Sequence, residues 1–312
     1  MKIINTAILL GITLIVVPIV TCFFGTPPDP VGWKALHTLM IITAVAVGYT
    51  FLVGEITSNN SQVDKFWSLL PIAYAWIVAG YGDFHPRLVL MSLLVTLWGI
   101  RLTYNFALKG AYHWRFWEGE EDYRWKVLRQ KPEFSPRWKW SLFNLAFISG
   151  YQNILILLFT LPMVVALQYN TTPLNAFDYI AAFLMLCFIV LETVADIQQR
   201  KYQNGKKAFL QNKGEDPIGN FHKGFIDNGL WAFSRHPNYF SEQAIWVCFY
   251  LFGIAAGAPW FNWSIAGCLL LIVLFQGSSA FSEEISAGKY PGYKAYQESV
   301  SRFIPLPRRK TS

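Results

Sequence analysis

Eight runs of mostly apolar residues punctuate this 312-residue chain, and they constrain its fold more than any other feature. They are 3–24, 33–54, 66–81, 87–104, 141–168, 177–194, 243–257 and 260–275. A helix crosses the ~30 Å hydrocarbon core with about 20 apolar residues at ~1.5 Å rise each. The first six runs approach or meet that length. The last two are separated by Ala258-Pro259 and are short, so they must recruit flanking residues or form a buried hairpin. Only 14% of the residues are charged, where a soluble domain carries about a quarter, and the mean hydropathy is +0.31. The expected fold is an all-α, polytopic membrane bundle of about seven or eight transmembrane helices. The first run follows Lys2 but is longer than a signal-peptide core, and no small-residue cleavage site follows it, so it reads as a retained helix.

Charge supplies an independent reading of topology. Of 26 Lys and Arg residues, eight lie in 105–140, seven in 196–238 and six from 282 onward. The connections 25–32, 82–86 and 169–176 contain none. Two runs separate each basic segment from the next, so all three can share one side. By the positive-inside rule that side is cytoplasmic, with both termini. The expected location is a bacterial inner membrane or its equivalent. The net charge of +7 then reads as topology, with contact to an anionic cofactor or lipid as a second contribution. Basic residues scattered over loops between membrane helices do not form a nucleic-acid surface. Four cysteines without CxxC spacing and no His/Cys cluster argue against structural zinc, and no metal is expected. The 13 Trp, 15 Tyr and 25 Phe suit two membrane–water interfaces.

Polar residues gather where the apolar runs end. Glu192, Asp196 and Arg200 are spaced i, i+4, i+8 and share one helix face. They form either a solvated helix end or the wall of a polar cavity, and ionisable groups at membrane depth are usually functional. The block Ser234-Arg-His-Pro-Asn-Tyr-Phe-Ser-Glu242 sets Arg235, His236, Asn238, Tyr239 and Glu242 directly before an apolar run. Pro237 pre-sets a helical first turn, so Arg235 and His236 stand just before a helix N-terminus, where anions are favoured. Tyr290, Tyr293 and Tyr296 form either an interfacial stripe or a stacking surface for a cofactor ring. Asp64 either caps the third span or faces a cavity. The segment around Arg124 and Arg129 reads as an amphipathic interfacial helix whose arginines could reach a phosphate. With no GxGxxG after a strand and no Walker A motif, a nucleotide would have to bind a helical cavity.

The Arg-His-Pro-Asn-Tyr block resembles the steroid 5-alpha-reductase superfamily, and most closely its bacterial branch of unknown function, DUF1295. Further resemblance lies in Asp64-Lys-Phe-Trp-Ser-Leu-Leu-Pro71, Trp98-Gly-Ile-Arg-Leu102, Glu121-Asp-Tyr-Arg124, Glu192 with Ala195-Asp196, and Tyr293 to Pro305. Together these span roughly 60–306. The implied division is two N-terminal helices (1–56), a reductase-like domain (57–306) and a basic tail (307–312). The resemblance implies an enzyme acting on CH–CH groups: NADPH bound in a cytoplasm-facing cavity reduces an activated carbon–carbon double bond of a steroid-like or lipid enone that enters from the bilayer. In the superfamily's reductase branch, positions matching Glu192, Asp196, Asn238 and Glu242 line the cofactor. By the same analogy Arg235, His236 and Tyr239 join the pocket, with Arg200, Arg124 and Tyr293 as further cofactor contacts. The superfamily's Glu and Tyr that polarise the substrate are not matched, since Trp98 stands near the expected Tyr, and Asp64, Tyr74 and Tyr104 are the candidates. Glu283-Glu284 followed by Tyr293-x-x-Tyr296 is more similar to the isoprenylcysteine and phospholipid methyltransferases, which implies S-adenosylmethionine as the alternative cofactor. A non-enzymatic lipid-binding or transport protein is the third reading.

Overall fold

The computed structural model describes residues 3–211 and 221–309, so the last residues of the basic tail lie outside it. Each of the eight apolar runs falls largely within a helix, the last one helical from Ile265 onward. They fall in α1 (Ile3–Thr21), α2 (Pro30–Thr57), α3 (Gln62–Tyr81) and α4 (Pro86–Ala107). After a short α5 (Tyr123–Arg129) come α6 (Arg137–Gln168), α7 (Ala176–Leu210), α8 (Pro237–Ala255), α9 (Ile265–Lys289) and the short α10 (Tyr293–Ser299). Five of these, α2, α4, α6, α7 and α9, are long and apolar enough to cross a membrane. The helix starts follow from their capping residues. Asp29 accepts a hydrogen bond from the Gly32 amide at 2.6 Å, with Pro30 in the first turn. His85 does the same for α4 ahead of Pro86, and Asp122 for α5.

Two helices outrun their apolar stretches. α7 continues through Asp196 to Leu210, and α9 through Glu283 to Lys289. The short runs at 243–257 and 260–275 do recruit flanking residues, α8 at its N-terminal end and α9 at its C-terminal end. Inside α6 the ladder widens to a π-helix over Asn144–Tyr151 before Pro162 opens its last turns.

The chain divides into two compact units, Met1–Phe183 with Trp246–Leu271 and Leu184–Ile245 with Ile272–Ser312. In the first, a core of indole and phenyl rings sets Trp98 edge-on to Trp246 at 4.9 Å, with Phe159 against Trp246 at 4.1 Å. α3 and α4 approach so closely at Gly99 that a Cβ there would stand 2.7 Å from the Ser68 carbonyl oxygen.

Each end of this unit is knit by hydrogen bonds. At one end the Trp263 indole donates to the Thr26 carbonyl and Asn175 to that of Ala255. Arg87 there pairs with Asp178 at 2.7 Å and donates to the carbonyls of Thr172 and Pro173. At the other end, residues 55–65 are bonded to 116–144. Exposed aromatics mark both ends: Trp33, Phe84, Tyr179 and Trp260 at the first, Tyr104, Trp114, Trp117 and Trp138 at the second. That is the pattern of two membrane–water interfaces.

In the second unit Tyr202, Phe221, Ile226 and Trp231 form one apolar cluster, and Phe225, Tyr293, Tyr296 and Val300 another.

Candidate functional site

The Arg-His-Pro-Asn-Tyr block enters α8 from a short 3-10 turn at Gly229–Ala232. That turn is tied to α7: the Leu230 amide donates to Gln198 at 2.9 Å and the Trp231 indole to the Ala195 carbonyl at 3.2 Å. Asn238, in the first turn of α8, donates through Nδ2 to Asp196 at 3.2 Å. Two polar blocks about forty residues apart in sequence are thus joined. Glu192 and Glu242 are both buried, each one turn from this contact along its own helix. Arg200 lies half-buried a turn beyond Asp196. Two residues along α7 from Asp196 begins a cavity of about 210 Å³ lined by Gln198, Lys201, Tyr202, Phe221, Ile226 and Asn228. Its lining offers two aromatic rings, two carboxamides and one ammonium group.

Arg235 and His236 have a different environment from the one expected of a phosphate site. Arg235 donates through Nε and Nη2 to the two oxygens of Glu283, at 2.7 and 3.2 Å. Its Nη1 donates to the Gln297 carbonyl at 2.6 Å and to that of Val300. The guanidinium is therefore occupied within the protein, holding the C-terminal segment, and does not open to an anion. His236 donates its Nε2–H to Glu283 at 2.9 Å, because a carboxylate can only accept. Burial lowers the His236 pKa, outweighing the opposing pull of Glu283, so the ring is held neutral with Nδ1 carrying a lone pair. Tyr239, half-buried, stacks on that ring at 5.1 Å with planes 12° apart.

The C-terminal segment completes this assembly. Arg235 and His236 donate their amides to the carbonyls of Ser301 and Arg302 at 2.8 and 3.1 Å, and Gln297 donates to Glu283 at 2.8 Å. Tyr293 and Tyr296 pack on Phe225 at 5.0 and 5.3 Å, and the Tyr296 hydroxyl donates to the Trp231 carbonyl at 2.6 Å. Their rings belong to an internal cluster, not to an exposed stripe.

In the first unit the structure joins two further blocks of the resemblance. The Trp125 indole donates to Asp64 at 3.0 Å, the Asp122 amide to Ser61 at 2.8 Å, and the Asn60 amide to Glu121 at 2.8 Å. Arg129 closes the knot on Asn60 and Glu121 at 2.7 and 2.6 Å. Arg124 is bidentate on Asp122 at 2.9 and 3.1 Å. Burial raises the Asp122 pKa, but the Arg124 charge and hydrogen bonds outweigh it and hold the carboxyl below its ordinary value. Both arginines expected to reach a phosphate are thus paired at home.

Asp64, Tyr74 and Tyr104 are not brought together. Asp64 and Tyr74 stand ten residues apart on α3, about 15 Å. Tyr74 is fully buried and its hydroxyl is 2.8 Å from Thr43, while Tyr104 is 63% exposed. The half-buried Tyr112 brings its hydroxyl 3.3 Å from Ser68, which lies one turn along α3 from Asp64. Ser68 also receives the Thr103 hydroxyl at 2.8 Å. Beside them Lys65 is buried, donating to the carbonyls of Phe116 and of Glu118, the latter at 2.7 Å, with its ammonium 5.9 Å from the Tyr112 ring centre. Sequence reasoning missed Tyr112, Lys65 and the partnership of Glu283. Lys65 carried a signal, a cation inside the Asp64 block at the head of a helix. Tyr112 carried none, because the turn between Gly110 and Gly119 that delivers it has no periodicity.

The family of proteins of unknown function DUF1295 matches residues 50–300. The chain belongs to it. DUF1295 therefore covers α3 to α10, including both clusters described above. An uncharacterised protein of the fission yeast Schizosaccharomyces pombe is 38% identical over 293 residues, covering 91% of this DUF1295 chain and 81% of the relative. No solved structure matches. Among the described residues no group of three or more His, Cys, Asp or Glu is placed to hold a metal ion.

Proposed function

We propose that this DUF1295 protein is a membrane-embedded, NADPH-dependent reductase of a carbon–carbon double bond in a hydrophobic enone. The observation that supports it best is the Asp196–Asn238 hydrogen bond, which joins two of the motif blocks. In this reading Glu192, Asp196, Asn238, Tyr239 and Glu242 face the cofactor, with Lys201 and Arg200 as the cations available to its phosphates. Arg235 is a positioning residue: it fixes Glu283, and Glu283 fixes the His236 ring. The dinucleotide, when bound, supplies the hydride. The chain's own task is to polarise the carbonyl as negative charge develops on its oxygen. The basic segments and both termini face the cytoplasm, the eight long helices cross or line the membrane, and the substrate reaches the site from the bilayer. The relationship to steroid 5-alpha-reductases belongs to this proposal.

The test is energy transfer from tryptophan to NADPH in detergent-purified protein, with S-adenosylmethionine as competitor. Saturable transfer that S-adenosylmethionine leaves intact is the expected result. Displacement, or heat of binding with S-adenosylmethionine alone, would reassign the same residues to methyl transfer.

A further inference from the structure

We propose that a face built from Lys109, Arg115, Arg137 and Lys139 with Trp114 and Trp138 binds the headgroups of anionic phospholipids. This inference is independent of the reductase reading. It starts from how segment 105–140 distributes its charges. Two of its acidic side chains turn inward, Asp122 to Arg124 and Glu121 to Asn60 and Arg129, while at the surface Glu118 pairs with Arg115 and His113 and Glu120 lies 4.0 Å from Lys126. Arg137 and Lys139 have no carboxylate partner among the described residues and are exposed, as is Trp138 between them at 65%. That triplet cannot turn inward. Trp140, next in sequence, is buried against Phe134 and Phe143 at 5.6 and 5.8 Å, with the Arg129 guanidinium over its face at 5.1 Å.

A second cation–indole pair repeats the arrangement. The Arg115 guanidinium lies 4.5 Å from the centre of the Trp114 ring, which is 79% exposed. Exposed indoles beside cations suit the headgroup layer, where the ring meets lipid and the charge meets phosphate. A soluble anion would leave both indoles in water, so a bilayer lipid is the better occupant. The opposite end of the unit also carries exposed aromatics, but its connections 25–32, 82–86 and 169–176 hold no Lys or Arg, its Arg87 is buried against Asp178, and Lys34 stands exposed there beside Trp33. Aromatic rings alone would not distinguish lipids by charge; this end adds cations worth about fivefold each toward an anionic surface.

The test uses the full chain purified in neutral detergent. Tryptophan-to-dansyl energy transfer is titrated with dansyl-phosphatidylglycerol and, separately, dansyl-phosphatidylcholine. The expected result is apparent affinity about tenfold or more higher for phosphatidylglycerol. That difference should collapse in Arg137→Gln/Lys139→Gln, and in wild type at about 1 M salt, where the Debye length is about 3 Å. Equal affinity for the two lipids would overturn the proposal. So would a preference that survives both the double substitution and the salt. Unchanged elution and melting of the variant separate loss of the face from loss of the fold, and the wild-type salt series stands without any variant.

Discussion

Each unit contains a buried arginine clamped on a carboxylate, and the two clasps differ in what else they hold. Arg87 and Asp178 have fully buried side chains. Asp178 accepts Arg87 through both oxygens and also the Asn175 amide, while the remaining arginine donors reach the Thr172 and Pro173 carbonyls. Every other partner is a backbone group or the Thr172 hydroxyl. In the second clasp Glu283 accepts Arg235 in the same fork but also the His236 ring and the Gln297 amide, with Arg302 at 3.9 Å on its rim. The first fastens a connection to the helix end beside it. The second fastens a titratable ring stacked on a half-buried tyrosine. The same ion pair thus serves closure in one unit and side-chain placement in the other.

The comparison is broken most directly at Asp178. Asp178→Ala leaves the Arg87 charge buried without its counter-ion, which should cost about 3–5 kcal/mol and lower the melting temperature of the detergent-solubilised protein. Replacing both partners, Arg87→Met with Asp178→Leu, should restore most of that stability, since a purely closing clasp can be rebuilt from apolar groups. A double variant as unstable as the single one would show that the charges do more than close.

Glu283→Gln should cost less, about 1.5–3 kcal/mol, the scale of hydrogen bonds to a charged group. It should nevertheless weaken NADPH energy transfer, because a single acceptor oxygen must then serve Arg235, His236 and Gln297, and the His236 ring is held less firmly. Asp178→Ala, measured at a temperature where it is folded, should leave that transfer unchanged. Crossed outcomes, with Asp178 altering the cofactor and Glu283 only the melting point, would reverse the roles assigned to the two clasps.

The long helices were legible in the sequence because each carries an apolar run, and five of them among the described residues are long and apolar enough to span a bilayer. The ends were less legible for the same reason. Apolarity stops where the membrane stops, but Ala, Gln, Lys and Arg at 195–210 are good helix formers and carry α7 onward in water. At the site, the density of polar groups around Arg235 stood out, and the Asp64 and Glu121 blocks were both visible. Their pairings were not. An arginine before a helix reads equally as an anion trap or as a structural clasp, and Glu283, 48 residues later, decides between them. The π-helical stretch Asn144–Tyr151 has no signal in its residues, which would suit an ordinary α-helix.

The smallest effect concerns pH and isolates the second clasp. His236 faces Glu283, which favours its protonated form, and Arg235 and Arg302, which oppose it, but burial is the largest influence and lowers its pKa below the ordinary value. Above about pH 6.5 the ring is neutral in the folded and unfolded chains alike. As the pH falls below that value the unfolded chain takes up the proton first, so stability declines toward pH 5. His85, beside the first clasp, is lowered too, by burial and by Arg87, and contributes a decline of the same sign. His236→Gln keeps a side-chain donor for Glu283 and removes the titration. Its melting temperature should fall less between pH 7.5 and pH 5 than that of wild type, and the difference between the two curves belongs to His236 alone. Parallel curves would mean that the buried ring protonates as readily as an exposed one, and the Nε2–H tautomer that orders the site would lose its physical basis.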